Sequence, residues 1–350
     1  MAEKTKRKWR KIITTVTLLA LAVLIYATWD EITDSISNLV KVQAAFLLLA
    51  IIFKIATFHT YTKMYQALFK ILDKKINYKP MIKAALELSF VNNVFPSGGV
   101  TGFSYFGIRM KKFHIRASTS TLVQILRFAI IFVTFMIMIL SGLLMLALFS
   151  QVSNLTILFT NTLSVLLTVG IFICIYIIGS RSRIDNFFTF ITRVLNKIIQ
   201  VIRPKHPETI NIRKARVGFI NLHENYLELR RKYKQLLKPG IYALVSNIFE
   251  VVTLYTVFLA FGETINPGAV IIAYAVANFA GLVSVLPGGV GIYEALMTAV
   301  LATAGVPPAV SIPVIIMYRI LTMIIQLPIG YYFYHKFVNE EGIPDAVNRQ

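Results

Sequence analysis

The chain has 350 residues, of which 56% are hydrophobic and 15% charged, and its formal net charge is +20 at pH 7. This composition excludes a single water-soluble domain, and the apolar residues occur in runs near the ~20 that cross a ~30 Å hydrocarbon core. The chain has 1 cysteine, which excludes a disulfide framework and a cysteine metal cluster.

Six apolar runs are long enough to span a bilayer: 12–29, 43–62, 118–149, 155–179, 239–261 and 311–334. Two further stretches, 84–109 and 268–304, are interrupted by proline and glycine, and their apolar arms are too short to cross. The sequence therefore predicts an all-α polytopic integral membrane protein with about six full spans and two re-entrant helical hairpins.

Lysine and arginine collect at the amino terminus, in 63–83, 109–116 and 181–238, and in the tail 336–350. The positive-inside rule makes these segments and both termini cytoplasmic, in a multi-pass protein of the cell (plasma) membrane. This topology, with attraction to anionic lipid, accounts for the positive charge without a nucleic-acid partner. Segment 181–238 has apolar residues at helical spacing, which predicts a basic amphipathic connector between membrane halves 1–180 and 239–335.

The two interrupted stretches share a pattern, Phe-Pro-Ser-Gly-Gly-Val-Thr-Gly at 95–102 and Leu-Pro-Gly-Gly-Val-Gly at 286–291. The predicted turn residues are Pro96, Ser97, Gly98, Gly99 and Gly102 in the first, and Pro287, Gly288, Gly289 and Gly291 in the second. Asparagines precede each turn (Asn92 and Asn93, or Asn278), and one arginine follows in the next apolar run (Arg127 or Arg319). The first stretch has basic flanks and the second has none, so we expect them to dip from opposite sides as an inverted-topology repeat.

The turns suggest a chemistry for anions. Proline ends the first half-helix and glycine permits positive φ, so the next half-helix begins inside the membrane. Its free N–H groups and positive dipole end could bind an anion such as a phosphate. Glu294, in the first turn after Gly291, could pair with an arginine, cap the turn or carry a proton.

Arg127 and Arg319 lie inside predicted spans, where a charge costs ~3 kcal/mol, so each must be paired or hydrated. One interpretation is a buried ion pair that holds the halves together, with Glu294, Glu250 or Glu87 as partner. The other is a cationic station for a phosphate headgroup, and the two are compatible.

Three further polar residues in the spans are candidates for the site. Lys54 is near mid-depth and needs a partner or a hydrated cavity. Asn247 and Glu250 are three residues apart on one helical face and could line the same cavity, although asparagine also joins helices by hydrogen bonding.

Known catalytic patterns are missing from the sequence. It contains no Gly-x-x-x-x-Gly-Lys loop, His-Glu-x-x-His, Cys-x-x-Cys or Gly-x-Ser-x-Gly element. We therefore expect no enzymatic activity, no cofactor, no metal and no transport driven by ATP hydrolysis in this chain.

The run Pro-Gly-Gly-Val-Gly-Ile-Tyr-Glu at 287–294, with Pro-Ser-Gly-Gly at 96–99 and the spacing of Arg127 and Arg319, resembles the membrane region of bacterial lysylphosphatidylglycerol synthases. That family also includes stand-alone flippase-like membrane proteins. The resemblance implies a region that moves an aminoacylated lipid to the outer leaflet, next to a separate cytoplasmic domain that transfers lysine from charged tRNA. The chain stops soon after its last span, so we expect that catalytic domain, and the glycosyltransferase domain of some archaeal relatives, to be absent.

The resemblance and the residues together predict a lipid translocase for a phospholipid or lipid-linked headgroup, whose partners are membrane lipids, chiefly anionic ones. Two alternatives stay open at this point. One is a secondary carrier of a small soluble anion, with a cavity closed to the bilayer. The other is a non-transporting scaffold, or partner of a separately encoded lipid-modifying enzyme, with a dry packed core.

Overall fold

The computed structural model describes residues 42–95, 100–149, 231–283 and 287–341, with scattered positions between 158 and 186. The four continuous ranges are helical and contain no strand. The helices are α1 (Ala44–Ile71), α2 (Tyr78–Val94), α3 (Val100–Lys111), α4 (Ala117–Phe149), α5 (Leu237–Ala260), α6 (Pro267–Val283), α7 (Ile292–Thr303) and α8 (Pro308–Glu341). Short 3-10 turns, Tyr233–Leu236 and Pro287–Gly289, precede α5 and follow α6.

Four of these helices, α1, α4, α5 and α8, are long and apolar enough to cross a membrane. The outer face of α4 carries exposed aliphatic side chains at helical spacing, namely Val133, Ile137, Leu140, Leu144 and Leu148. An exposed apolar stripe of this length is typical of a lipid-facing surface. The protein is therefore an all-α multi-pass membrane protein. The predicted spans 12–29 and most of 155–179 lie outside the described residues, as do Pro96, Ser97, Gly98 and Gly99.

The helices extend further than the apolar runs that predicted them. The run 43–62 becomes a helix that continues to Ile71, and the run 311–334 becomes one that continues to Glu341. An apolar run ends where charged residues begin, but lysine is a good helix former, so a helix can continue past the end of the run. Helix α8 also contains Pro313 and Pro328, which membrane helices tolerate when neighbouring groups satisfy the freed backbone.

Each interrupted stretch forms two short helices, as expected from its proline and glycine. The first gives α2 with 17 residues and α3 with 12, and the second gives α6 with 17 and α7 with 12. Long helices surround both pairs: α1 has 28 residues and α4 has 33, while α5 has 24 and α8 has 34. The order long, 17, 12, long therefore occurs twice.

Helices α1 and α5 pack along their lengths in antiparallel orientation. At one end, the Gln43 N–H donates to the Ala260 carbonyl at 2.9 Å. At the other end, the Lys232 ammonium donates to the Ile71 carbonyl at 3.0 Å. The first long helix that the structure describes in each half thus runs opposite to its counterpart.

A long helix of each half also packs on the 17-residue helix of the other half: α4 packs on α6, and α8 packs on α2. Glycine permits both close approaches. A Cβ at Gly268 would lie 2.5 Å from the Gly142 carbonyl oxygen, and a Cβ at Gly330 would lie 2.8 Å from the Leu86 carbonyl oxygen. These crossings bring the broken helices of both halves to the centre of the bundle.

Candidate functional site: a polar cavity between the halves

A cavity of about 270 Å³ lies where the two halves meet. Among its lining residues are Lys54, Asn92, Asn93, Gly102, Gln124 and Arg127 from the first half, and Glu250, Asn278, Gly288, Gly289, Tyr293, Tyr318, Arg319 and Gln326 from the second. An adjoining cavity of about 230 Å³ shares Lys54, Asn92, Asn93, Glu250, Tyr274, Asn278 and Gln326 with it and is also lined by Asn247. The structure thus brings most of the described candidate residues to one polar space inside an apolar bundle.

The turn between α6 and α7 borders this cavity, and three glycines form it. Gly288, Gly289 and Gly291 have φ of 58°, 67° and 84°, a region that side chains disfavour and glycine adopts freely. The turn lies against the end of α2, because a Cβ at Gly288 would be 3.5 Å from Asn93 Oδ1. A break in the second half therefore meets the end of a half-helix from the first.

Arg319 and Glu294 fasten this turn. Arg319 Nη1 lies 2.7 Å from Glu294 Oε1, and the two side chains are 9% and 15% exposed. Arg319 Nη2 donates to the Gly288 carbonyl at 2.8 Å, and the Gly291 N–H donates to Glu294 Oε2 at 2.7 Å. Of the roles expected for Glu294, the carboxylate therefore has two, pairing with an arginine and capping α7.

The Arg319–Glu294 contact is close without being aligned as a hydrogen bond. Arg319 Nη1 and Glu294 Oε1 are both buried and have no hydrogen-bond partner by geometry among the described residues. Both residues belong to the second half, so this pair joins α7 to α8 and does not hold the two halves together.

A second ion pair does join the halves. Lys54 Nζ on α1 lies 2.6 Å from Glu250 Oε1 on α5, with side chains 7% and 13% exposed. The Tyr318 hydroxyl on α8 donates to the other carboxylate oxygen of Glu250 at 2.8 Å. Lys54 therefore has the partner that its depth required.

Arg127 is different, because no carboxylate contacts it in the described part of the chain. It is 6% exposed, and its Nη1 donates to the Tyr61 hydroxyl. Its Cζ lies 4.2 Å from the centroid of the Phe128 ring, and its buried Nε has no hydrogen-bond partner among the residues described. Glu87, one of the expected partners, instead pairs with Arg109 at 2.6 Å. Arg127 is thus a buried cation that retains its charge and has one N–H group without an acceptor among the described residues.

The asparagines have varied surroundings. Asn93 and Asn278 each donate to a carbonyl one turn back in their own helix, at 2.8 Å in both cases. Asn247 donates to the Thr134 hydroxyl at 2.9 Å, which links α5 to α4. The Oδ1 atom of Asn92 is buried and has no hydrogen-bond partner within the ranges that the structure describes. A Cβ at Gly102 would lie only 1.9 Å from that oxygen, so glycine at 102 makes room for the amide.

Sequence reasoning missed the aromatic and amide residues around these charges. Tyr61, Gln124, Tyr293, Tyr318 and Gln326 all contact or line the site. Their spacing could have indicated them, since Gln124 lies one turn before Arg127 and two tyrosines immediately precede Glu294 and Arg319.

Comparison with known proteins adds the family. Residues 12–330 match the lysylphosphatidylglycerol synthase TM region. A UPF0104 membrane protein of Pyrococcus horikoshii is 22% identical over 93% of this chain and 95% of its own, and one of Methanocaldococcus jannaschii is 23% identical over 90% of each.

A UPF0104 membrane protein of Methanothermobacter thermautotrophicus is 30% identical over a shorter match, 36% of each chain. The family match covers nearly the whole chain, including the interrupted stretches and both intramembrane arginines. The protein therefore belongs to the family of the lysylphosphatidylglycerol synthase TM region.

Proposed function

We propose that this protein is a lipid translocase that moves a lipid with an anionic headgroup between leaflets, without an enzymatic step. The headgroup enters the polar cavity, its phosphate contacts Arg127, and the acyl tails stay in the bilayer. The observation that carries the proposal is Arg127 itself, a buried arginine that lines an intramembrane cavity with no carboxylate contact among the described residues.

A phosphate suits Arg127 for energetic reasons. An arginine at the centre of a span costs ~3 kcal/mol when it is not compensated, and a hydrogen bond from guanidinium to an anionic oxygen is about twice as strong as a neutral one. Transient contact with a headgroup phosphate would offset part of that cost. A permanent ion pair, as at Arg319, would leave less to be gained from a ligand.

We also propose that the two halves form an inverted-topology repeat, the arrangement from which many transporters build a central site. The recurring helix lengths and the antiparallel packing of α1 on α5 support this proposal. With basic segments cytoplasmic, both termini lie on the cytoplasmic side of the cell membrane, and the cavity opens to the two sides in turn as one half moves against the other.

An apolar groove favours a lipid over a soluble anion as the transported molecule. The groove, of about 370 Å³, lies between α7 and α8 and is lined by residues such as Ala295, Ala299 and Ile312, with Glu294 also in its wall. Because Glu294 pairs with Arg319 of the polar cavity, the groove and the cavity adjoin at this ion pair. An amphipathic ligand could occupy both, whereas a small hydrophilic anion has no use for the groove.

The test is a leaflet-exchange assay with purified protein in liposomes that contain headgroup-labelled fluorescent phospholipids. Dithionite added outside bleaches only the outer leaflet unless lipids exchange. We expect the wild type to expose the inner-leaflet label and Arg127→Gln to protect it. Lys232→Gln, which removes a positive charge outside the cavity from a pair with Asp73, is the matched control and should behave as the wild type.

Protection of the inner leaflet by folded wild-type protein, across anionic and zwitterionic phospholipids and with or without a proton gradient, would refute the proposal. Uptake of soluble phosphate or carboxylates without lipid exchange would instead identify a carrier of soluble anions.

A further inference from the structure

Among the described residues, the positive and negative side chains around the cavity are unequal in number. Within the described residues, Glu250 pairs with Lys54 at 2.6 Å and Glu294 pairs with Arg319 at 2.7 Å. Arg127 lines the same cavity and contacts no carboxylate there. Three cations thus meet two carboxylates, and the wall of the cavity carries one uncompensated positive charge.

The proposed repeat accounts for the lack of a carboxylate partner of Arg127 among the described residues. Arg127 and Arg319 lie at nearly the same position of α4 and α8, ten and eleven residues after Ala117 and Pro308. Glu294, the partner of Arg319, is the third residue of α7. By helix position its counterpart is Gly102, the third residue of α3, and by the shared motif, in which Gly102 matches Gly291, it is Tyr105; neither residue is a carboxylate.

The sequence near Arg127 cannot replace the missing carboxylate. The chain contains no aspartate or glutamate between Glu87 and Asp185, and Glu87 is held by Arg109. The immediate neighbours of Arg127 are neutral: Tyr61, Phe128 and, one turn back, Gln124. The cavity therefore has an unpaired positive charge because the first half has no carboxylate that corresponds to Glu294.

On these grounds we infer that the cavity selects a lipid whose headgroup carries one net negative charge, a phosphodiester without an amine, in contrast to the aminoacylated lipid that the family resemblance implies. This inference rests on the proposed function and narrows its substrate. A phosphodiester neutralises Arg127 and leaves no unpaired charge in the cavity. A phosphomonoester, whose second pKa is about 6, brings a second negative charge with no partner, and burying an unpaired charge is strongly unfavourable. A zwitterionic headgroup brings an ammonium group, but Glu250 and Glu294 already pair with Lys54 and Arg319 and are not free to bind it.

The experiment measures binding apart from movement. Delipidated protein in an uncharged detergent binds a fluorescent short-chain phosphatidylglycerol, and short-chain phosphatidylglycerol, phosphatidic acid and phosphatidylethanolamine compete with it at pH 8. For the wild type we expect phosphatidylglycerol to compete at least about tenfold better than the other two, which is a difference of ~1.4 kcal/mol.

Two variants change the charge count in opposite directions. Gln124→Glu adds a carboxylate one turn from Arg127 in a side chain of the same shape, and it can still accept the Tyr65 hydroxyl that Gln124 accepts at 3.0 Å. It should weaken phosphatidylglycerol binding by about tenfold or more. Gln235→Glu, at an exposed position outside the cavity, is its control and should leave binding unchanged.

Glu294→Gln removes one negative charge but keeps an oxygen that can cap Gly291. It should shift the preference towards phosphatidic acid by about tenfold. Equal competition by all three lipids on the wild type, or an unchanged preference in Glu294→Gln, would overturn the inference. If the protein shows the expected binding preferences but exchanges no lipid between leaflets in liposomes, the proposed function is refuted and the inference stands. If it exchanges lipids but binds them without a charge preference, the inference is refuted and the proposed function stands.

Discussion

The ion pair between Lys54 and Glu250 gives the sharpest test of how the halves are joined. It is 2.6 Å long, nearly buried, and connects residues 196 positions apart in the sequence. Lys54→Met leaves the Glu250 carboxylate with the Tyr318 hydroxyl as its only donor among the described residues. Removing one member of a buried pair costs about 3–5 kcal/mol because the other charge stays buried, so we expect Lys54→Met and Glu250→Gln each to lose about that much.

The double variant should be much milder than the sum of the two. With both charges gone, the amide at 250 can still accept from Tyr318, and no uncompensated charge remains. Charge pairs in contact show coupling energies of about 0.5–3 kcal/mol, and the burial of this pair puts the expected value near the upper end.

The assay is a double-mutant cycle on the free energy of unfolding, measured by titrating detergent-solubilised protein with sodium dodecyl sulfate and following helicity by circular dichroism. The matched control is the pair Lys232–Asp73, which has the same charges at 2.7 Å but side chains 27% and 75% exposed. Exposed pairs contribute at most about 1 kcal/mol. Losses at Lys54 and Glu250 that add to within about 0.5 kcal/mol would refute the reasoning.

Two further predictions concern stability. Arg319→Gln should lose about 3 kcal/mol, because Glu294 stays buried without its cation, and adding Glu294→Gln should recover part of the loss in the same titration; no recovery would contradict the pairing. Gly330→Ala should lose about 1–3 kcal/mol, because a Cβ there would lie 2.6 Å from Phe90 Cβ, whereas Gly107→Ala in α3, with nothing within 4 Å, should be neutral or slightly stabilising. Equal melting temperatures for the two alanine variants would show that α2 and α8 do not approach through this glycine.

Much of the fold could be predicted from local patterns. The apolar runs indicated the spans that the structure describes, and proline and glycine marked where α2 and α6 end. The need of an intramembrane arginine for compensation also named Glu294 among the partners of Arg319. These inferences succeeded because hydropathy, helix termination and the cost of a buried charge depend on a residue and its near neighbours.

The ends of the helices were less predictable. Helix α1 continues nine residues beyond the apolar run that indicated it, to Ile71. A hydropathy pattern reports where hydrocarbon ends, and a helix with lysines can continue into water. The predicted count of about six spans, the re-entrant hairpins, the connector at 181–238 and the membrane halves remain predictions.

By itself, the sequence determined that this chain is a polytopic helical membrane protein with broken helices and three basic side chains, Lys54, Arg127 and Arg319, inside its predicted spans. It also fixed the absence of aspartate and glutamate between Glu87 and Asp185. Which cation meets which carboxylate was decided only by the tertiary structure, because a contact between residues far apart in the chain depends on how whole helices pack. The packing of α1 on α5 brings Lys54 into contact with Glu250, and the packing of α7 on α8 brings Arg319 into contact with Glu294. Arg127 lines the cavity without a carboxylate contact among the described residues.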